Sequence, residues 1–342
     1  KSWKAKTLLL KASPQFNPKR MYDNAYWKEA YVEAKEAYDF CVKNGIALTE
    51  NPADIWLQEK GPEVIFPVIY SNPNRVATWE YGTRPASVSR DKPYHNPTWE
   101  FVKDFPMLDG KRYDDPTGKY YVGDEQALLK AFWKNRDPRF NRACLYNGRE
   151  WPVAGRPADN RMYNALGVSN ADDQYGVNPN AGVNAANNDI FSGMYNYKVS
   201  DLSLTQDKVM TFDIDYILMR FAEVMFIYAE AANENGHSDV AIDLLKQIRK
   251  RAGIPGYGET VNLPKPTTTE EVMELIRKEK RIELSFENCR YFDVRRWGLV
   301  NEYFNKAIHG MNVNYDGNEF FKRTEIVKRI FDRQYFFPIP QG

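Results

Sequence analysis

The sequence predicts a mostly α protein in which helical hairpins near both ends flank a long, irregular, loop-rich middle. Two observations carry that expectation. Apolar residues recur at helical spacing over residues 1–43 and again over residues 218–286, the period that turns one helix face toward a core. Between them the chain is rich in Gly, Pro, Asn, Asp and Tyr with little helical period, the texture of surface loops. The expected division is a hairpin over residues 1–45, a loop-rich ligand-binding lobe over 46–215 and a C-terminal helical scaffold over 216–342, together forming one domain.

In the first hairpin, Leu8, Leu9 and Ala12 face Tyr26, Ala30, Ala34, Ala37 and Cys41 of a helix running from about Tyr22 to Lys43, and the chain reverses across Pro14 to Pro18. Trp27, Tyr31, Ala34 and Tyr38 resemble the helix pair of a tetratricopeptide repeat, where small residues allow close crossing and aromatics fill the gap. In the C-terminal block, Leu218, Phe221, Ala222, Met225, Tyr228, Ala229 and Ala232 form one stripe. Gly236 breaks that helix and Ser238 is placed to cap the next. There Ala241, Leu244, Leu245, Ile248 and Ala252 oppose Asp243, Lys246, Gln247, Lys250 and Arg251, and Gly253 with Pro255 ends the helix. After a Pro-rich linker, Thr268 with Glu271 forms a capping box for a helix whose apolar residues include Val272, Leu275, Ile276 and Ile282.

Charge excludes several functions. Lys+Arg 47 against Asp+Glu 46 leaves +1, so no basic field attracts nucleic acid. Cys41, Cys144 and Cys289, like His95, His237 and His309, are too scattered for a zinc framework. No stretch is apolar enough to span a bilayer, and no signal peptide begins the chain. The first residues read as the middle of an amphipathic helix, so the natural N-terminus is expected to lie upstream. No G-x-S-x-G elbow, phosphate loop or H-E-x-x-H string occurs. Asp114 with Asp115, and Asp172 with Asp173, read as solvated turns and not as a hydrolase acid pair. Calcium is the one conceivable cofactor, through Asp172, Asp173 and Asp189 in the polar stretch 171–189, although the spacing fails the EF-hand pattern.

The aromatic content, with 22 Tyr, 19 Phe and 8 Trp, suits stacking on sugar rings as well as packing. The preferred ligand segment is Ile69 to Trp99, where Tyr70, Trp79, Tyr81 and Tyr94 stand among Asn72, Asn74, Arg84 and Arg90. Trp79 and Tyr81 share a face if the segment is extended. Trp99 is set aside because Asn96 to Phe105 begins a helix. Trp151 and Tyr163 form a second cluster. The string Arg290 to Trp297 reads as structural, with Glu279 and Glu283 meeting Arg290, Arg295 or Arg296 in pairs that fix the chain after the helix.

LMRFAEVMFIYAEAANENG (Leu218 to Gly236), AIDLLKQIRKRAG (Ala241 to Gly253) and IRKEKRIELSFENCRYFDVRRWG (Ile276 to Gly298) occur in an order and spacing similar to the SusD/RagB family. NPTWEFVKDFPMLDGK (Asn96 to Lys111), RDPRF (Arg136 to Phe140), YFFPIPQ (Tyr335 to Gln341) and LLLKASPQFN (Leu8 to Asn17) extend the resemblance over most of the chain. It implies a mostly α scaffold of tetratricopeptide-like hairpins with a loop-rich lobe. It also implies a non-catalytic, cofactor-free lipoprotein on the outer face of the outer membrane, which captures an oligosaccharide and passes it to a TonB-dependent, SusC-like transporter. Some members take peptides. Members are usually longer, begin with a lipidated Cys, and draw part of the ligand site from a portion this chain does not contain. A helical-repeat scaffold for protein partners and a hydrolase are the competing readings.

Overall fold

The computed structural model describes residues 1–18, 25–85, 95–130, 134–146, 149–155, 192–313 and 321–328. In chain order the elements are α1 (Ser2–Ala12), α2 (Ala25–Lys43), β1 (Val64–Val68), α3 (Trp99–Val102), α4 (Glu125–Lys130), α5 (Pro138–Ala143), β2 (Cys144–Tyr146), β3 (Met194–Asn196) and β4 (Tyr216–Arg220). Then follow α6 (Phe221–Glu234), α7 (Ser238–Ala252), α8 (Thr269–Glu283), α9 (Arg290–Arg296), α10 (Val300–Tyr303), β5 (Ala307–Val313) and β6 (Phe321–Lys328). The strands pair antiparallel as β1 with β4, β2 with β3 and β5 with β6.

Helix α6 is central because every residue from Phe221 to Asn233 is buried; a helix without a polar face must be enclosed on all sides. Helices α1, α2, α7 and α8 enclose it in one core. Ala30, Ala34, Ala37 and Cys41 of α2 are buried, and Tyr31 and Tyr38 lie beside Tyr228, their ring centroids 6.0 and 5.3 Å away. The antiparallel register of α1 on α2 is marked by exposed pairs Lys1–Glu36, Lys4–Glu33 and Lys11–Glu29. The N- and C-terminal helical segments thus share one core. The lobe carries a second, in which Trp99, Phe105, Met107 and Phe140 meet Ile282 of α8.

Thr268 and Glu271 form the expected capping box, and Gly253 ends α7 with a left-handed φ of 85°. Three details differ from the sequence expectation. Leu218 lies in β4, half-exposed at 42%, and the stripe of α6 begins only at Phe221. Ser238 does not cap α7; His237 occupies the cap and the Ser238 hydroxyl donates to Asn233 Oδ1 at 2.7 Å. The C-terminal segment is not wholly helical, since β5 and β6 form a hairpin whose His309 Nδ1 lies 2.6 Å from Glu100 Oε1.

Buried charge joins the two cores. Arg220, 1% exposed, meets Glu63 at 2.6 Å, Glu283 at 3.0 Å and Glu287 at 2.8 Å. Arg251 bridges Glu63 at 2.8 Å and Glu283. Arg139 meets Asp137 at 2.7 Å, Glu279 at 2.9 Å and Glu283 at 3.5 Å, while Arg249 and the Tyr257 hydroxyl hold the other Glu279 oxygen. Glu279 and Glu283 are therefore not paired with Arg290, Arg295 or Arg296. Arg296 instead grips Glu230 through two nitrogens, at 2.5 and 2.6 Å, and Asp293 at 2.8 Å. Residues on one helix surface suggest local pairs, but Glu279 and Glu283 point inward to Arg139, Arg220, Arg249 and Arg251 on other elements.

Burial pushes each of these carboxyls up, and the surrounding cations outweigh it: Glu230, Glu279, Glu283, Glu287 and Asp293 are all held below the ordinary carboxylate range. Replacing Glu283 by Gln is expected to destabilise the fold by about 3–5 kcal/mol in urea melts, since three buried arginines lose a counter-charge. Lowered folded-state values mean that the unfolded chain takes up protons first as pH falls. The stability from this network is thus complete above the ordinary Glu value of 4.5 and declines below it. A melting temperature that stays flat from pH 6 to pH 3 contradicts this.

Candidate functional site

The site begins where β1 ends. Strands β1 and β4 pair from Val64 with Arg220 to Val68 with Tyr216, so the segment leaving β1 lies beside the one entering β4. Tyr70 N donates to Asp215 Oδ1 at 2.8 Å, Asn72 N to Asp213 Oδ2 at 3.2 Å, Asn72 Nδ2 to the Thr211 carbonyl at 2.7 Å and Ala77 N to the Phe212 carbonyl at 2.8 Å. Ser71 and Arg75 exchange two backbone hydrogen bonds of 2.8 Å, presenting Asn72, Pro73 and Asn74 on an exposed tip.

These bonds assemble a row of rings. Trp79 meets Tyr70 at a centroid distance of 5.3 Å, Phe212 at 5.0 Å and Tyr216 at 5.6 Å, all edge-on, the arrangement that ring quadrupoles favour. Tyr216 meets Trp56 at 5.5 Å, and its hydroxyl accepts from Asn288 Nδ2 at 2.9 Å; burial pushes that phenol up to about 12. Phe212 is buried, whereas Tyr70, Trp79 and Tyr216 are half-exposed. The Arg75 guanidinium lies 4.8 Å from the Tyr70 ring centre. The row therefore combines partly open aromatic surface with an exposed amide and guanidinium rim, which can stack on a sugar face and bond its hydroxyls.

Just behind it, Glu80 is fully buried and accepts from Arg84 Nε at 2.5 Å and from the Asp201 amide. Arg84 also donates to the Leu204 carbonyl at 2.8 Å and to that of Asp201. Burial raises the Glu80 carboxyl more than Arg84 lowers it. This pair pins residues 201–204 to the turn behind Trp79. Asp201, Leu202 and Ser203 of that segment help line a cleft of ≈ 520 Å³, together with Ile55, Leu57, Arg142, Tyr197 and Ser285.

Of the sequence-chosen residues, Trp79, Tyr70 and Asn72 meet at one surface. Arg84 does not join them: at 2% exposure it is spent on Glu80 and two carbonyls. Trp151, 0% exposed, packs with Leu145, Val153 and Tyr195, so it too is core and not ligand surface. Trp79 and Tyr81 do not share an extended face. Gly82 N donates to the Trp79 carbonyl at 3.1 Å and Arg84 N to that of Glu80 at 3.2 Å, a turn that removes the two-residue alternation. Tyr81 is half-buried on it. Tyr94, Arg90 and Tyr163, and the calcium candidates Asp172, Asp173 and Asp189, lie outside the described residues. Among those described, no group of three or more His, Cys, Asp or Glu is placed to hold a metal. Asp114 is taken by Arg112 through two 2.8 Å bonds, and Asp115 accepts from Thr117 N at 2.9 Å: a turn, as expected. Phe212 and Tyr216 were missed, although the alternation Phe212, Asp213, Ile214, Asp215, Tyr216 carries a strand period.

The sequence profile of the SusD family matches residues 62–342. A SusD-like protein of Formosa agariphila, P2, is 33% identical over 128 residues, 37% of this chain and 23% of that protein. Two solved structures from Bacteroides fragilis, each at 22% identity, share the fold. A SusD-like carbohydrate binding protein has a TM-score of 0.68 over 98% of this chain and 61% of that one. A second SusD-like protein has a TM-score of 0.67 over 93% and 59%. The chain thus spans about three fifths of these solved chains.

Because Arg84 compensates a buried carboxylate, Arg84→Ala is expected to cost about 3–5 kcal/mol in stability. Asn72→Ala, at the exposed tip, is expected to leave the thermal melt within a degree or two of the parent. An Arg84→Ala protein as stable as the parent returns Arg84 to the ligand side.

Proposed function

The chain belongs to the SusD family, and on that premise we propose that it is a non-catalytic glycan-binding protein whose ligand stacks on the Tyr70–Trp79 row. The observation that carries this reading is the half-exposed aromatic row held edge-on where the chain leaves β1 and enters β4, with Asn72, Asn74 and Arg75 at its rim. Stacking on such rings needs no covalent step, and an amide and guanidinium rim supplies hydroxyl partners without proton transfer. The same reading puts the protein on the outer face of the outer membrane, lipid-anchored, handing its sugar to a TonB-dependent transporter of the SusC kind. Family membership supports that part. The SusD-like relative solved as a carbohydrate binding protein supports the ligand class through its shared fold.

Tyr70→Ala with Trp79→Ala is expected to weaken oligosaccharide binding by about 10- to 100-fold, the loss of one or two anchoring aromatics, with the circular dichroism spectrum unchanged. Calorimetry against a panel of neutral oligosaccharides provides the measurement. Undiminished affinity in the folded double variant moves the site elsewhere, and peptide binding in place of sugar binding replaces the ligand class. Cross-linking on whole cells tests the transporter partnership, which fails if no TonB-dependent transporter is recovered.

A further inference from the structure

The cleft beside the aromatic row contains two polar groups that no described residue satisfies. Arg142, in the last turn of α5, is half-buried, and its Nη1 is buried without a hydrogen-bond partner. Ser285, 7% exposed, has a buried Oγ that is likewise unpartnered. Both line the cleft.

The other charged groups at the cleft are engaged. Arg139 is held by Asp137, Glu279 and Glu283. Lys198 donates to the Glu283 carbonyl at 2.6 Å, to the Ser285 carbonyl at 3.1 Å and to Glu287. Arg149 donates to the Cys144 carbonyl and lies 4.0 Å over the Tyr197 ring. Glu283 is shared by Arg220, Arg251 and Arg139, and Asp201 Oδ1 takes the Ser203 amide and hydroxyl at 2.9 and 2.7 Å. Among the described residues, Arg142 is thus the cleft cation whose buried nitrogen has neither an ion pair nor a hydrogen bond. Burial lowers its pKa, and the nearby Arg251 charge adds to that.

An unpaired, partly buried guanidinium is costly to a fold. Its planar fork matches a carboxylate or a sulfate through two parallel bonds, and a serine hydroxyl adds a third donor. Ile55, Leu57 and Tyr197 offer apolar and aromatic wall for the rest of a ring. We propose that this cleft is a subsite for the anionic group of an acidic saccharide, a carboxylate or a sulfate ester, held by Arg142 and Ser285. The saccharide rests on the glycan reading above; the preference for an anion does not.

The test is calorimetry with a uronic-acid oligosaccharide, its carboxyl-reduced neutral counterpart and a sulfated form of that counterpart, followed by free glucuronate and inorganic sulfate. The parent protein is expected to bind one acidic form about tenfold more tightly than the neutral one, the effect of one charge-assisted pair. Which acidic form is preferred separates carboxylate from sulfate. Arg142→Gln is expected to abolish the preference while keeping affinity for the neutral sugar, and its melting temperature is expected to hold or rise because an unpaired charge has been removed. Arg142→Lys keeps the charge without the fork and is expected to retain part of the preference; Ser285→Ala reduces it in a folded protein whatever the fate of the Arg142 variants. Equal affinity for acidic and neutral forms overturns the proposal, as does a preference that survives Arg142→Gln. Arg142-dependent binding of free glucuronate or sulfate with no oligosaccharide bound supports the anion site and overturns the glycan reading. No binding of any probe overturns both.

Discussion

Arg220 ends β4 and, as the N-cap residue, opens α6, and its guanidinium is the point on which lobe and scaffold are fixed to each other. Five buried acids (Glu63, Asp137, Glu279, Glu283 and Glu287) face five cations (Lys198, Arg139, Arg220, Arg249 and Arg251) within 4 Å contacts that chain from one to the next. Removing ten charges from water is expensive, and only close geometry with satisfied remaining donors offsets it. A network of this kind tolerates few alternative arrangements. Sliding α8 by one turn would separate Glu279 from Arg249 and Glu283 from Arg251 together. The apolar contacts around α6 supply the driving force of folding, while the charges select where the lobe sits.

The same device recurs on a smaller scale behind the aromatic row. Glu80 and Arg84 bind each other and the backbone at residues 201–204, and Asp213 and Asp215 accept the amides of Asn72 and Tyr70. Trp79 is thereby fixed from its own turn and from the strand beside it. A ligand meeting rings already held in place loses less conformational freedom on binding than one that must order a loop. That is how an irregular lobe, with little regular structure of its own, presents a defined surface.

The helices were legible because their apolar period is local: Thr268 with Glu271, Gly253, and the alanines of α2 each announce their role within a few residues. Strand β4 was not, because YILMR runs into FAEVMF as a mainly apolar stretch interrupted only by Arg220 and Glu223, and a short apolar run does not separate strand from helix. Only the extended backbone at Arg220, with φ −131° and ψ 166°, marks the break. Sequence spacing points Glu279 and Glu283 to the nearby arginines after α8, since it sees neighbours along a chain and not the face a helix buries; their partners are Arg139, Arg220, Arg249 and Arg251. Arg84 and Trp151 suit a ligand surface by residue type yet are buried, for the related reason that residue type does not encode exposure. Trp79 with Tyr70 and Asn72 was recoverable because the feature that matters there, aromatic rings amid chain-breaking polar residues, is itself local.

The two candidate subsites divide the labour of recognition. On the proposed glycan reading, the Tyr70–Trp79 row would confer affinity with little discrimination, because stacking accepts the apolar face that every pyranose has. A half-buried guanidinium such as that of Arg142 would discriminate more strongly, because a ligand lacking the matching group leaves it unpaired. Two links connect them: Ile55 lines the cleft while its neighbour Trp56 touches Tyr216 of the row, and Asp201 lines the cleft while its backbone is held by the pair behind Trp79. Arg142 follows the Arg139 that the central network consumes, one helical turn later on α5. On the proposed reading, the charges that fix the fold would also fix how a permissive surface and a selective one stand to each other, with Arg142 the cleft cation that no described residue pairs.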